Sequence, residues 1–156
     1  MAPERNIQQR SYVMIKPDGV HRGLVGTVIQ RFENRGYKLI ALKMCTPSKE
    51  LLENHYGDLK TKKFFPSLIE YMQMGPVVSM VWQGLDVVAT GRKIVGATNP
   101  LDSTPGTIRG DFCIDTGRNI IHASDKPEAA EEEIKMWFTE QEINSWTNVS
   151  EKMIYE

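Results

Sequence analysis

His122 is the residue whose type and setting most favour chemistry. The segment 118–122, RNIIH, predicts a short strand that ends at this histidine, and the segment 123–125, ASD, then leads into a helix. Backbone N–H groups at the start of a helix can bind anions. An imidazole with a pKa of about 6.5 is largely neutral at pH 7, and its lone pair can attack phosphorus. Judged from this segment alone, a structural histidine at a strand end is the more common outcome.

A nucleophilic imidazole needs an acceptor that holds its second ring nitrogen, and the helix that follows carries several glutamates. The helical spacing predicts a buried stripe made of Ala130, Ile134, Trp137 and Phe138. Glu128 and Glu132 fall opposite that stripe, whereas Glu131 and Glu133 fall on its two edges. Either edge residue can turn toward the sheet, and the spacing alone does not choose between them.

Three cations, Lys16, Arg92 and Arg109, each stand next to a glycine or a proline. If they converge, they suit a polyphosphate, because negative charge must be neutralised during phosphoryl transfer and arginine binds phosphate in a bidentate manner. Taken singly, a solvated surface charge is the more common role. We expect one of Phe64 and Phe65 to pack in the core, and the other to be a second core residue or a stacking surface for a base.

Familiar cofactor motifs do not account for this chain. It has no G-x-G-x-x-G dinucleotide-binding motif. The segment 91–98, GRKIVGAT, resembles a P-loop, but Ala97 replaces the required lysine and the segment lies in and after a predicted helix. His21, His55 and His122 show no paired spacing of metal ligands, so a zinc site is not expected.

The composition is that of a globular protein. The chain has 156 residues, of which 40% are hydrophobic and 25% are charged, and this predicts one domain over 1–156. Lys and Arg number 19 against 20 Asp and Glu, so a net charge of -1 provides no overall attraction to nucleic acid. No stretch is apolar enough to span a membrane, and Met1–Asn6 lacks the apolar core of a secretory signal. With only Cys45 and Cys113, we expect reduced thiols and a cytoplasmic location.

The elements that must position these residues follow from the hydrophobic pattern. Strands are predicted at 11–15, 37–44, 76–82 and 118–122. Helices are predicted from Leu24 to a stop at Gly36, from an N-cap at Thr46 toward His55, over 64–72 and 86–95, and over 129–138 with Asp125 in a capping box. Residues 96–117 are rich in glycine and proline and predict a long connection with little regular structure, which is usually functional or disordered.

This order of elements predicts an α+β fold. It matches a ferredoxin-like split β-α-β arrangement (βαββαβ). We therefore expect an antiparallel four-stranded sheet with helices packed on one face.

Several blocks of the sequence resemble the nucleoside diphosphate kinase family. The segment 119–125, NIIHASD, is similar to the family signature N-x-x-H-x-S-D. Further similar blocks are IKPDGV at 15–20, TNP at 98–100, PGTIRGDF at 105–112 and IYE at 154–156. The resemblance covers nearly the whole chain, in order.

The resemblance implies a reversible transfer of the γ-phosphoryl group from a nucleoside triphosphate to a nucleoside diphosphate. It implies a ping-pong mechanism in which His122, through the ring nitrogen nearer the chain, forms a phosphohistidine. Glu133 matches the carboxylate that holds the other ring nitrogen, which settles the choice over Glu131. Ser124 matches the hydroxyl that supports this glutamate.

The resemblance also implies the rest of the nucleotide site. The positions that bind phosphates or ribose and line the site match Lys16, Tyr56, Arg92, Thr98, Arg109 and Asn119, of which Lys16 and Tyr56 are also expected to take part in catalysis. Phe64 matches the base-stacking ring, and Thr116 stands where the family often has a valine, which makes that side of the base clamp more polar. Lys62-Lys63 replaces the usual Arg-Pro or Lys-Pro pair, so a looser tip is expected there. Mg²⁺ is expected to arrive on the nucleotide phosphates, with no protein cage.

The family further implies a homo-oligomer. We expect a hexamer, with subunit contacts from the loop around Pro100, the loop containing Pro105 and the tail 155–156. Nucleic-acid binding is not expected as the main role, because the chain is near neutral and lacks a basic aromatic sheet face. In a regular strand Asn119 and His122 would point to opposite faces, so we expect irregular backbone between them.

Overall fold

The computed structural model describes residues 5–156, which form four strands and eight α-helices. The strands are β1 (Arg10–Ile15), β2 (Lys38–Cys45), β3 (Val77–Gln83) and β4 (Ile121–Ala123). The helices are α1 (Pro17–His21), α2 (Val25–Arg35), α3 (Lys49–His55), α4 (Phe65–Met72), α5 (Val87–Val95), α6 (Ile108–Phe112), α7 (Pro127–Trp137) and α8 (Glu151–Ile154). Among these described helices, none has the length and apolar character that crossing a bilayer requires. The segment 1–6 was predicted to lack a secretory signal. Its residues 1–4 lie outside the described residues.

The four strands form one antiparallel sheet in the order β2-β3-β1-β4. β1 lies beside β3, with Tyr12 opposite Val81, and beside β4, with Met14 opposite His122. Helix α2 connects β1 to β2, and helix α5 lies between β3 and β4. The predicted β-α-β-β-α-β arrangement with an antiparallel sheet is therefore confirmed.

Helices cover both faces of the sheet, so the expectation that they lie on one face is wrong. On one face, Val13 and Ile15 of β1 belong to a core with Phe32 of α2 and Val88 of α5. The core of the other face joins β1 to α3, α4 and α7, and its members include Tyr12, Met14, Leu52, Met72, Ile134 and Trp137. Residues 11–15 are all fully buried, and a strand that is buried on both sides must be covered on both sides.

Two helix ends were predicted from local signals, the C-terminal end of α2 and the N-terminal end of α3. Gly36 ends α2 in the left-handed conformation, with φ at 110°, as predicted. The predicted N-cap at Thr46 is wrong, because α3 begins after Ser48. The hydroxyl of Ser48 accepts a hydrogen bond from the N–H of Leu51 at 3.1 Å, which is the usual cap arrangement for serine.

The start of α7 also differs from the prediction. The N-cap position is Lys126, and its side chain forms no capping hydrogen bond with the helix. The capping box expected at Asp125 is therefore wrong. Pro127 occupies the first turn, where its fixed φ suits a helix and its missing N–H leaves one group fewer to satisfy. Proline thus replaces the cap as the signal that starts the helix.

The connection 96–117 contains more regular structure than predicted. It holds a 3-10 turn at Pro100–Asp102, the short helix α6 and the beginning of a 3-10 turn at Thr116–Arg118. Each piece begins at a side chain that accepts a hydrogen bond from the backbone, namely Asn99, Thr107 and Asp115. Pieces of three to five residues are too short to show a helical period, so only their caps are visible in the sequence.

Candidate active site

The backbone just before β4 leaves the extended conformation, so the strand predicted over 118–122 is too long. Ile120 has a φ of 58°, and the N–H of Ile121 donates to the carbonyl oxygen of Asn119 at 2.8 Å, which closes a γ-turn. For a branched residue this conformation costs about 1–3 kcal/mol. The irregular backbone expected between Asn119 and His122 is confirmed, and the turn removes the alternation that would place them on opposite faces.

His122 lies at the centre of β4 and borders a cavity of about 360 Å³. Its Nε2 lies 2.7 Å from Oε2 of Glu133 in α7. The hydroxyl of Ser124 donates to the other oxygen of Glu133, Oε1, at 2.6 Å. The same hydroxyl accepts the N–H of Tyr12 at 3.1 Å, so the carboxylate is tied through Ser124 to the central strand.

Helix α7 decides which edge glutamate reaches the histidine. Glu133 faces His122, whereas Glu131 forms an ion pair with Arg10 of β1. Residues two apart on a helix are separated by about 200°, so the two carboxylates point in different directions and only one of them contacts the ring. The open choice between the two edges is therefore made by how α7 packs on β1 and β4.

The charge of Glu133 determines where the imidazole proton lies. Burial acts to raise the pKa of Glu133, but the hydrogen bond and charge of His122 and the bond from Ser124 outweigh it. The net pKa therefore lies below its ordinary value. The carboxylate is charged at neutral pH and keeps the proton of the His122 ring on Nε2. The lone pair of a neutral ring then resides on Nδ1.

His55 belongs to this cluster, and the sequence did not assign it to the site. Its ring centroid lies 4.6 Å from that of His122, and its Nδ1 accepts a hydrogen bond from Nε1 of Trp137 at 3.1 Å. Burial, together with the charge of His122, lowers the pKa of His55 to about 3, so this ring is neutral at pH 7. The only signal in the sequence is that Trp137 follows Glu133 by four residues, which places both on one side of α7.

The three side chains of His55, His122 and Glu133 hold possible metal-ligand atoms within 4.8 Å of one another. Trp137 donates to Nδ1 of His55, so in the neutral ring the proton sits on Nε2. That Nε2 lies 3.8 Å from Oε2 of Glu133. A nitrogen that carries a proton does not bind a metal, so this arrangement does not favour a metal centre at these three side chains.

Three of the predicted site residues share one hydrogen-bond network at the end of β1. Nζ of Lys16 donates to Oδ1 of Asn119 at 2.9 Å, and Nδ2 of Asn119 donates to the carbonyl oxygen of Thr98 at 3.1 Å. Burial and the nearby charge of Arg109 lower the pKa of Lys16 to about 8. This ammonium is mostly charged at pH 7 but poorly solvated, which suits an anionic ligand.

Arg109 is buried and braces the backbone around the γ-turn. It donates to the carbonyl oxygens of Gly96 at 3.3 Å, Asn119 at 3.3 Å and Ile121 at 2.6 Å. Burial and the charge of Arg92 lower its pKa to about 10, so the guanidinium stays charged at neutral pH. Two of its three acceptors flank Ile120, so Arg109 supports the turn that precedes His122.

Arg92 borders the cavity, whereas Tyr56 lies between His55 and Gly57, which line it. Arg92 of α5 donates to the carbonyl oxygen of Ala123 at 3.2 Å and lines the cavity beside His122. Tyr56 follows α3, and its hydroxyl is buried without a hydrogen-bond partner among residues 5–156. Burial and the charge of Glu133 raise the pKa of Tyr56, so its hydroxyl remains a donor. An unpaired buried hydroxyl is unfavourable, and an anion that accepts from it would relieve the cost.

The two residues predicted to clamp a base are separate from this network. Phe65 packs against the core on the α7 face, while Phe64 at the start of α4 is exposed, so one of the pair is in the core as expected. Thr116 is exposed and lies in the 3-10 turn Thr116–Arg118.

Comparison with known proteins places this site in a family. The sequence model of the family described as "Nucleoside diphosphate kinase" matches residues 9–143. The nucleoside diphosphate kinase of Drosophila melanogaster is 61% identical over 149 residues, which is 96% of this chain and 97% of that protein. The human nucleoside diphosphate kinase A is 56% identical over 95% of this chain and 97% of its own length.

The fold agrees with solved structures. A halophilic nucleoside diphosphate kinase from Halobacterium salinarum, solved in complex with CDP, superposes with a TM-score of 0.93 at 40% identity. It covers 96% of this chain and 99% of its own. A family protein from Babesia bovis superposes with a TM-score of 0.92 at 43% identity, over 94% of this chain and 99% of its own. This chain therefore belongs to the nucleoside diphosphate kinase family and is an enzyme that transfers phosphate between nucleoside triphosphates and diphosphates.

Proposed function

We propose that the transfer proceeds by a ping-pong reaction through a phosphohistidine on His122. The Nδ1 lone pair attacks the γ-phosphorus, an Nδ1–P bond forms, and the bond from that phosphorus to the bridging oxygen breaks, which releases the nucleoside diphosphate. The proton on Nε2 stays in its hydrogen bond with Glu133. A second nucleoside diphosphate then takes the phosphoryl group by the reverse displacement. One pocket thus serves donor and acceptor in turn.

The observation that carries this proposal is the 2.7 Å contact between Nε2 of His122 and Glu133 beside an open cavity. The carboxylate stabilises the positive charge that develops on the ring as Nδ1 forms its bond to phosphorus. Ser124, which donates to the other oxygen of Glu133, holds the carboxylate in the orientation that this requires. Little covalent chemistry beyond the imidazole is needed, and positioning with charge stabilisation supplies the rest.

The cations around the turn are proposed to bind the phosphates. Lys16, Arg92 and Arg109 place positive charge near the cavity, and Tyr56 offers its unpaired hydroxyl as a donor. Asn119 and Thr98, linked to Lys16, are proposed to contact the ribose and phosphates. An exposed ring at Phe64 supports its role as the base-stacking surface, with Thr116 on the other side of the base.

Mg²⁺ is the metal that we propose for this reaction. The side chains proposed to meet the phosphates are cations and neutral donors, a set that cannot form a protein cage for a hard cation. They fit a metal held instead by phosphate oxygens and water. When bound there, the ion neutralises phosphate charge, while Lys16, Arg92 and Arg109 orient the phosphate chain.

Mass spectrometry of the intact protein tests the proposed intermediate. After brief exposure to ATP and Mg²⁺ we expect one acid-labile phosphate, and addition of GDP should discharge it. The His122→Ala variant should acquire none. It should remain folded, with a lower unfolding temperature because Glu133 loses its hydrogen bond to the ring. If the substituted protein is labelled to the same extent, His122 is not the nucleophile.

We also propose that the chain forms a hexamer. Large apolar side chains that are exposed in the single chain support subunit contacts, among them Leu42 and Met44 on the edge strand β2, Leu101 beside Pro100, and Ile114. Analytical ultracentrifugation at micromolar concentration should give one species of six times the mass of the chain, and a monomer would refute this. The whole chain, residues 1–156, is proposed to be one domain, and its two free cysteines support the proposed cytoplasmic location.

A further inference from the structure

The γ-turn at Ile120 is held by groups from the end of β1 and from α1. The carboxylate of Asp18 accepts the N–H of Ile120 through Oδ2 at 3.2 Å. The carbonyl oxygen of Ile120 accepts the N–H of Lys16 at 2.8 Å. A Cβ at Gly19 would lie 2.9 Å from that carbonyl oxygen, so only glycine allows this close approach. Both backbone polar groups of Ile120, its N–H and its carbonyl oxygen, are therefore hydrogen-bonded.

Asp18 is itself held from the opposite side. Its other oxygen, Oδ1, accepts a hydrogen bond from the hydroxyl of Tyr71 in α4. Burial and the carboxylate of Asp18 raise the pKa of Tyr71, so the phenol remains a donor. Arg118 lies in the chain just before the turn, and its guanidinium is 4.4 Å from the centroid of the Tyr71 ring. Asp18, Tyr71 and Arg118 thus form one cluster.

This cluster lies outside the proposed phosphate-binding set, yet it controls the backbone between two members of the site. Asn119 precedes Ile120, and its side chain is bound to Lys16. His122 follows Ile120 by two residues. If Ile120 relaxed to an extended conformation, the alternation of a strand would turn Asn119 or His122 away from the cavity.

We propose that Asp18 is a positioning residue for phosphoryl transfer. Its carboxylate, clamped by Tyr71, holds Ile120 in the left-handed conformation that brings Asn119 and His122 to one site. Its effect on the reaction rests on the proposed function of His122, whereas its effect on the turn does not. The two parts are therefore measured separately.

The first experiment measures the turn by amide hydrogen exchange. In Asp18→Asn, the neutral amide oxygen is a weaker acceptor for the Ile120 N–H than a carboxylate, and the amide nitrogen on the other side cannot accept from Tyr71. The Ile120 amide should therefore exchange at least about tenfold faster than in the unsubstituted chain. Tyr71→Phe, which removes only the hydroxyl, should give a smaller increase at the same amide. The control is Asp86→Asn, which removes the same charge at an exposed left-handed position remote in the fold, and it should leave Ile120 unchanged. Unchanged exchange in Asp18→Asn would overturn the proposal.

The second experiment measures phosphorylation of the enzyme in a single turnover with ATP and Mg²⁺. We expect Asp18→Asn to lower the rate at saturating nucleotide about 10- to 100-fold, because small misplacements of reacting groups have large effects. The nucleotide concentration at half-maximal rate should rise by a smaller factor than the rate falls, because the displaced Asn119 is only one of the groups proposed to bind the nucleotide. A loss that appears only in that concentration would contradict a positioning role.

A comparison of Asp18→Asn in two backgrounds that differ at Ile120 separates positioning from general damage, because the loss of the buried Ile120 side chain is common to both members of the glycine pair. Glycine adopts a positive φ without strain, so Ile120→Gly relieves the conformation that Asp18 must enforce. In the Ile120→Gly background, Asp18→Asn should therefore lower the rate several-fold less than it does in the unsubstituted chain. An equal loss in both backgrounds would show that Asp18 acts by another route. If the unsubstituted chain forms no phosphohistidine at all, the proposed function fails, while the exchange experiment still decides the role of Asp18 in the turn.

Discussion

The centre of the sheet and the segment 96–123 both bury side chains, but they bury different groups. In β1 and β3 the buried side chains are apolar apart from two serines, and the strands are paired in a continuous register. In the segment 96–123 the buried groups include Arg109 and Asn119, which bond to carbonyl oxygens of turns. A regular ladder uses up its own backbone donors and acceptors, whereas turns leave carbonyls free to orient a charged side chain. The sheet therefore acts as the rigid base and the irregular segment holds the directed polar groups.

The sharpest test of that division compares two glutamates on one helix. Glu133→Ala should lower the rate of phosphoryl transfer by about 100-fold or more, because the imidazole loses the carboxylate that orients it. Glu131→Ala, two residues away, removes only a partly exposed ion pair with Arg10 and should change the rate less than about twofold. Steady-state assays of both variants under the same conditions check this. Equal losses would mean that the charge of α7, and not the contact with His122, is what matters.

The two regions should also respond differently to loss of a buried side chain. Arg109→Met removes the guanidinium donor from three carbonyl oxygens, of which that of Asn119 keeps the N–H of Ile121. We expect unfolding to become easier by about 2–4 kcal/mol and the transfer rate to fall as well. Phe32→Leu, in the core between α2 and the sheet, should cost about 1–2 kcal/mol and leave the rate unchanged. Urea unfolding with activity assays on both variants measures the contrast. A rate defect in Phe32→Leu would show that the sheet does more than support the site.

The smallest of the three effects concerns acid. The pKa of His55 is about 3 in the folded chain and about 6.5 when unfolded, so between these values the unfolded chain binds a proton that the folded chain does not. Stability is therefore lost as the pH falls below about 6.5. The free energy of unfolding should drop by about 2 kcal/mol from pH 7 to pH 5 through this group.

Two variants isolate that contribution. His55→Gln should flatten the dependence of stability on pH in this range, whereas His21→Gln, at an exposed histidine, should leave it unchanged. Urea unfolding at several pH values and one protein concentration provides the measurement. The lowered pKa of Glu133 acts in the same direction but only at lower pH, since its stabilisation is present above the unfolded pKa of about 4.3 and is lost below it. An unchanged slope in His55→Gln would remove His55 as the acid-sensitive group.

Much of the fold was predictable because it follows from local rules. The strands show continuous apolar runs, and Gly36 ends α2 where a left-handed residue is required. Errors occurred where two local signals competed, as at the start of α3, where Ser48 and not Thr46 accepts the capping hydrogen bond. The number of covered faces was also missed, although the continuous apolar run of β1 is typical of a strand that is buried on both faces of its sheet.

The sequence by itself determined the four strands, the longer helices and the antiparallel sheet class that they form. It also determined a set of residues whose chemistry suits phosphoryl transfer. Only the tertiary structure decided that Glu133 and not Glu131 reaches His122 by geometry, that His55 lies beside them, and that Ile120 takes a left-handed conformation. Each of these depends on contacts between segments far apart in the chain. Periodicity and spacing describe a residue's neighbours along the chain, whereas a site is made by neighbours in space.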